Sequence, residues 1–177
     1  MEAKKIIITG GATRIGAAIA RSLSGNEKQI TLHYNQSEKE AKKLKTELER
    51  DGAKVFLIKA DLSNSNSVKK IIPFSYKMMK GLDCLINNAS IFEKDSIKDF
   101  NESKFNKHMN INLKAPAILS QAFKKYVKNN KGNIVNIIDQ RIFKLTPYFF
   151  SYTLSKSGLE TLTKTSAMSL APNIRVN

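Results

Sequence analysis

Tyr152 and Lys156 stand four residues apart, so on a helix they share one face. A free tyrosine titrates near ~10 and is a poor acid or base at neutral pH. An ammonium beside it favours the phenolate and pulls that value down. Such a pair suits proton transfer to or from a carbonyl or imine while a hydride moves elsewhere. A Tyr-x-x-x-Lys match is common by chance and is also what an ordinary surface contact on a helix looks like. A third residue sharpens it. Thirteen positions before Tyr152, the apolar run Ile134-Val135-Asn136-Ile137-Ile138 ends on a carboxylate, Asp139. An acid at the carboxyl end of a strand points into the ligand crevice of an open α/β sheet. Beside an apolar cleft its pKa is expected to rise, letting it hold a proton near neutrality and pass it to Tyr152. The plainer reading is a carboxylate capping a turn.

A second group could hold the other reactant. Thr9-Gly10-Gly11-Ala12-Thr13-Arg14-Ile15-Gly16 follows a short β-branched run and opens a helix. Small residues let backbone approach a pyrophosphate, and free N–H groups at a helix start favour anions. A tight turn with glycines at positive φ would look similar. NAD binders usually place an acid at the end of the second strand for the ribose 2′-OH. Here Thr31-Leu-His-Tyr-Asn-Gln-Ser37 has none, and Arg14 adds a cation, which favours NADP(H).

These residues need elements to carry them. Strand-like runs are read at Lys5–Thr9, Gln29–Tyr34, Val55–Lys59, Leu82–Asn87 and Asn133–Ile138, and the chain ends on Ile174–Asn177, the opening half of a sixth. Helices are read at Ile15–Leu23, Glu38–Arg50, Ser65–Lys80 (broken by Pro73), Asn106–Lys128 and Phe150–Leu170. Alternation of this kind argues for βαβ units, a parallel sheet and helices on both faces. Continuous apolar strands such as Ile6-Ile7-Ile8 fit burial on both sides. With no repeat or linker, residues 1–177 read as one domain. In the long helix, Pro116 lies four residues after Asn112 and cannot donate to its carbonyl, so a kink is expected there.

Composition bounds the alternatives. The 177 residues are 41% hydrophobic and 25% charged, a globular balance. No apolar run approaches the roughly 20 residues of a membrane span, and no signal-peptide core follows Met1, so the expectation is a cytoplasmic protein without a membrane partner. A single cysteine, Cys84, allows no internal disulfide or Cys-based metal site and reads as packing. His108 reads as a surface residue. The net charge of +15 comes from 25 Lys and 5 Arg scattered through helices, which argues against nucleic acid as the partner.

Taken together, the glycine loop, Asn87-Asn88-Ala89, Asn112 and Tyr152-x-x-x-Lys156 resemble the short-chain dehydrogenase/reductases in order and spacing. The resemblance spans the whole chain. It implies a Rossmann-like, doubly wound sheet with strand order 3-2-1-4-5-6, its last strand cut short. In most of that family a Ser stands where Asp139 does. An Asp there resembles the pteridine-reductase branch, as do Arg14 in the glycine motif and Ser90 after Asn88-Ala89. Phe92 matches the aromatic that stacks on a pterin in that branch. A basic residue expected after Tyr34-Asn35 is Gln36 instead, leaving Ser37 and Arg14 to meet a 2′-phosphate.

The resemblance implies these roles. Tyr152, Lys156, Asp139 and Asn112 are catalytic, with Asn112 holding a water that links to the Lys. Thr9, Gly10, Thr13, Arg14, Ile15, Gly16, Tyr34, Asn35, Ser37, Asp61, Leu62, Asn88, Ala89, Ser90 and Lys156 line the NADP(H) site. Arg14, Phe92, Asp139 and Tyr152 meet the substrate. The activity implied is NADPH-dependent reduction of a C=N or C=O bond, with a pterin as substrate. Alternatives are a 3-oxoacyl thioester or other carbonyl reductase, and a truncated NADP-binding remnant without turnover, since the family continues past Asn177. The family's interface helices imply a homodimer or homotetramer.

Overall fold

The computed structural model describes residues 4–127 and 131–177. Six strands, β1 (Lys5–Ile8), β2 (Gln29–Tyr34), β3 (Lys54–Lys59), β4 (Cys84–Asn87), β5 (Gly132–Asn136) and β6 (Ile174–Val176), form one parallel sheet in the order β3-β2-β1-β4-β5-β6. Neighbouring side chains on a strand point to opposite faces, and the β1 isoleucines divide accordingly. Ile6 and Ile8 pack with Ala17 and Ala20 of α1 (Arg14–Ser22) and Leu44 and Leu48 of α2 (Glu38–Arg50). Ile7 packs on the other face with Ile71 and Ile72 of α3 (Ser65–Met79) and Leu119 and Phe123 of α5 (Ala115–Tyr126). Cys84 belongs to the first of these cores, and burial lifts its thiol to about 12, so it is packing, as expected.

The sheet reverses its order of winding between β1 and β4. Segments leaving the carboxyl ends of β1, β4 and β5 therefore converge on one crevice. They are the glycine loop, residues 88–96 and residues 137–149. The helix after the last of these, α6 (Phe150–Leu170), carries Tyr152 and Lys156.

Two elements differ from expectation. Pro73 does not break α3, which is continuous through it. Pro73 is on the exposed side of a helix whose opposite side buries Ile71, Ile72 and Met79, so water can reach the carbonyl it leaves unpaired. The expected single helix from Asn106 is two: α4 (Glu102–Met109) and α5, joined by a π turn over Asn110–Lys114. It starts early because the Asn101 side chain accepts from the Lys104 N–H at 3.0 Å, capping the end. The wider turn absorbs the bond that Pro116 cannot make. Lys128, the expected last residue, lies outside the described residues.

Candidate active site

The crevice is a cleft of about 500 Å3, lined by the glycine loop on one side and by Asp139, Tyr152 and Lys156 on the other. Between them run Asp61 and Leu62, then Asn88 to Phe92. It thus brings together Gly10, Thr13, Arg14, Ile15, Gly16, Asn35, Ser90 and the three residues first singled out. Tyr34 and Ser37 line an adjoining recess with Gln36 and Asn35 instead. Thr9 reaches neither. It is buried, and its hydroxyl accepts from the N–H groups of Asn88 and Ala89 at 3.0 and 3.1 Å. Its expected place at the cofactor is corrected to that of a strut joining β1 to the segment after β4.

The glycine loop is tightly held. Gly10 has φ +60, a left-handed conformation that favours glycine. A Cβ on Gly16 would stand 2.1 Å from the Gly10 carbonyl oxygen, so only glycine fits. The Asn88 amide donates to the carbonyls of Thr9 and Gly10 at 2.9 and 3.1 Å. Buried His33 completes the loop, a contribution with no signature in the sequence. Its Nδ1 accepts from Gly10 N–H and its main-chain oxygen from Gly11 N–H, both at 3.0 Å. Nε2 then carries the proton and donates to the Ala60 carbonyl at 3.0 Å. Burial lowers the His33 pKa, which keeps the ring neutral and able to accept. The start of α1 has no side-chain cap and no acid in its first turn, so its N–H groups face the cleft unneutralised.

Across the cleft the Tyr152 phenol donates to Asp139 Oδ2 at 2.7 Å. Lys156 is buried, donates from Nζ to the Ile137 carbonyl at 2.8 Å and lies 5.8 Å from the Tyr152 ring centre. Both pKa expectations for the acid and the phenol are overturned. Burial opposes ionisation of Asp139, but the Arg141 N–H, the Tyr152 hydroxyl and the nearby guanidinium and ammonium outweigh it, and the carboxyl titrates below its ordinary value. Tyr152 is pushed up, by burial first and then by its bond to Asp139 and that residue's charge. Burial brings Lys156 down to about 8, against support from Asp139. Asp139 is thus an ionised acceptor holding the phenolic proton, rather than a protonated reservoir.

Asn112 sits fully buried behind the pair. Its side chain accepts from Ile91 N–H at 3.0 Å and donates to the Ile91 carbonyl at 3.1 Å and to Ser155 Oγ at 3.0 Å. Those bonds commit the side chain to structure. His108, expected at the surface, is fully buried one turn earlier. The polar sequence around it gave no hint that Glu93 would bring its N–H within 3.3 Å of Nε2, while Nδ1 meets the Lys104 carbonyl at 2.9 Å.

Phe92 stands at the mouth, 51% exposed, with its ring 4.7 Å from Tyr152 in an edge-on contact. Two neighbours escaped the sequence reading. Phe149 stacks on Phe92 at 4.2 Å and 5°, and the Arg141 guanidinium lies 4.3 Å from the Phe149 ring centre.

Residues 4–177 match the family described as "short chain dehydrogenase". The chain belongs to the short-chain dehydrogenases. It is 32% identical over 173 residues to "Uncharacterized oxidoreductase" of Thermotoga maritima, covering 97% of this chain and 67% of that relative. The chain therefore spans about two thirds of that relative's length. Among solved structures, FolM alternative dihydrofolate reductase 1 from Brucella canis, complexed with NADP, superposes with a TM-score of 0.91 at 36% identity, over 97% of this chain and 70% of that one. A short chain dehydrogenase from Burkholderia cenocepacia, also in complex with NADP, gives 0.93 at 29% identity, over 98% and 71%. Among the described residues no helix is long and apolar enough to cross a membrane, and no cluster of side chains could hold a metal.

Proposed function

We propose that this short-chain dehydrogenase is an NADPH-dependent reductase of a C=N or C=O bond in a flat, conjugated ring, with a dihydropterin as its substrate. The observation that carries the reading is the Asp139–Tyr152 pair with Phe92 packed against it in one cleft. The likeness to an NADP-bound alternative dihydrofolate reductase supports it. So does the absence of any acid along Thr31–Ser37, which leaves room for a 2′-phosphate beside Ser37 and Arg14.

The residues present fit the dinucleotide. Uncapped N–H groups at the start of α1 suit a pyrophosphate. Leu62 offers an apolar wall for an adenine, and Lys156 a donor for a ribose. When bound, the cofactor supplies a hydride. The chain's own part is the proton. Tyr152 gives up its phenolic hydrogen to the substrate, and the Lys156 ammonium stabilises the phenolate that remains. Asp139, ionised, holds the phenol aligned before the substrate arrives. Its second oxygen accepts from Arg141 N–H at 2.9 Å, so a ring N–H of the substrate would meet a carboxylate already fixed in place. Phe92, with Phe149 stacked on one face, offers the ring its exposed side.

The test is NADPH consumption by the purified chain with a dihydropterin and, separately, a 3-oxoacyl thioester, each with Tyr152→Phe alongside. Dihydropterin turnover that disappears in the variant supports the reading. Turnover of the thioester alone would replace it with the carbonyl-reductase alternative. NADPH binding without turnover of either would refute both substrate readings and favour the NADP-binding remnant.

A further inference from the structure

Asp95 is 3% exposed and belongs to no recognised motif, yet its side chain bonds directly to the first turn of the Tyr152 helix. Its carboxylate accepts from the Ser151 N–H through both oxygens at 3.2 Å and also takes the Ser151 hydroxyl hydrogen. Its main-chain oxygen accepts from Phe149 N–H at 2.8 Å. The residue at the conventional capping position of α6 is Phe149, which has no capping side chain and sits at φ +61, a conformation L residues rarely adopt. The helix that carries the phenol is therefore capped from a different segment, 56 residues away in sequence. A carboxylate there satisfies free N–H groups and meets the positive end of the helix dipole.

The same segment is fastened at two other points. Asn112 holds both polar groups of Ile91, and His108 accepts from Glu93 N–H. Phe92 lies between these fastenings and Asp95. Phe92 and Tyr152 thus belong to separate elements joined by buried polar bonds: Asn112 bridges Ile91 to Ser155 one turn into α6, and Asp95 bonds directly to its first turn.

We infer that Asp95 is a positioning residue: it sets the place of Tyr152 against Phe92 and Asp139 by capping the first turn of α6 from the segment that carries Phe92. It touches no part of the cleft itself. Without it the first turn of α6 loosens, Phe149 leaves its left-handed conformation, and the phenol loses its fixed distance from Phe92 and Asp139.

Asp95→Asn keeps the volume and one acceptor oxygen, and Ser151→Ala is the alternative should that variant not fold. Two measurements test the inference. The first does not need activity. In chain labelled with 3-fluorotyrosine, the 19F resonance of Tyr152, assigned by its loss in Tyr152→Phe, should shift or split in Asp95→Asn. Those of Tyr34, Tyr76 and Tyr126 should stay in place. The second rests on the reductase reading: kcat should fall on the order of 10- to 100-fold, the cost of misplacing a reacting group by about 1 Å, while the NADPH Kd stays within about twofold. A Tyr152 resonance that does not move in the folded variant, or one that moves only together with the other three, overturns the proposal. An equal loss of kcat and cofactor affinity would overturn it too. Should the native chain turn nothing over, the reductase reading fails, and the fluorine resonance alone decides Asp95.

Discussion

The Tyr152 hydroxyl and Asp139 Oδ2 are 2.7 Å apart, so in the free cleft the phenolic hydrogen is given to a carboxylate and not to solvent. A hydrogen bond to a charged group contributes about 1.5–3 kcal/mol. Asp139→Ser removes both the charge and the reach, leaving the phenol free to rotate. The expected result is a fall in kcat for the dihydropterin of roughly 10- to 100-fold, equivalent to that energy, with NADPH affinity little changed. Stopped-flow or steady-state NADPH oxidation reads it. Unchanged turnover would remove Asp139 from the chemistry.

Tyr152→Phe deletes the proton donor and keeps the ring that meets Phe92. Loss of a positioned acid costs typically 10²–10⁴-fold, and that is the expected drop in kcat. Because the ring stays, NADPH fluorescence should still report binding with native affinity. A residual rate within tenfold of native would mean that another group supplies the proton.

How much of this was legible in the sequence follows from the range of each interaction. Ile6-Ile7-Ile8 announced a strand buried on both faces because side-chain alternation is local. Tyr152 and Lys156 announced a shared face because four residues make one helical turn. Asp95 and Ser151 could not be paired from the sequence, since neither has a local pattern and α4, α5 and β5 all lie between them. His108 was misplaced for the same reason: its partner N–H arrives from Glu93, on the segment before α4. The direction of the Asp139 pKa turned on Arg141, which reaches it through a single turn of 3-10 helix at Gln140–Ile142 that apolar patterning does not reveal.

Lys156 gives the reaction a pH signature. Burial brings its pKa down to about 8. Below that value it is an ammonium and supports the phenolate; above it the charge is lost. Dihydropterin reduction should therefore decline as pH rises past about 8. Stability should move the opposite way over the same window. The folded pKa lies below the unfolded value of about 10.4, so between the two the unfolded chain binds more protons and stability rises with pH. Tyr152 opposes this only above its unfolded value of about 10, because its folded pKa is raised. Rate–pH profiles measured beside urea midpoints at each pH check both. A rate and a stability that fall together above pH 8 would point to unfolding rather than to Lys156.

Gly16→Ala tests the glycine loop by geometry alone. The new Cβ would lie 2.1 Å from the Gly10 oxygen and 2.6 Å from the Asn88 amide nitrogen. Forcing a methyl into packed surroundings costs about 1–3 kcal/mol, which should appear as a lower urea midpoint. Relieving the clash displaces the Gly10 peptide or the Asn88 amide that holds it, so NADPH affinity should fall as well. Native affinity in this variant would mean that the start of α1 is not where the dinucleotide sits.

The ring stack at the mouth separates the two substrate classes. Phe92 contributes an aromatic face, and the Phe149 ring already occupies such a contact at 4.2 Å. Aromatic pairs are worth about 0.5–1.5 kcal/mol beyond the area they bury, a factor of roughly 2–12 in binding. Phe92→Leu keeps an apolar side chain but offers no ring. A dihydropterin should lose about that factor in kcat/KM, while an aliphatic 3-oxoacyl thioester, which has no ring to stack, should be nearly indifferent. Equal losses for both would show that Phe92 acts through its packing on Tyr152, 4.7 Å away, and not through the substrate.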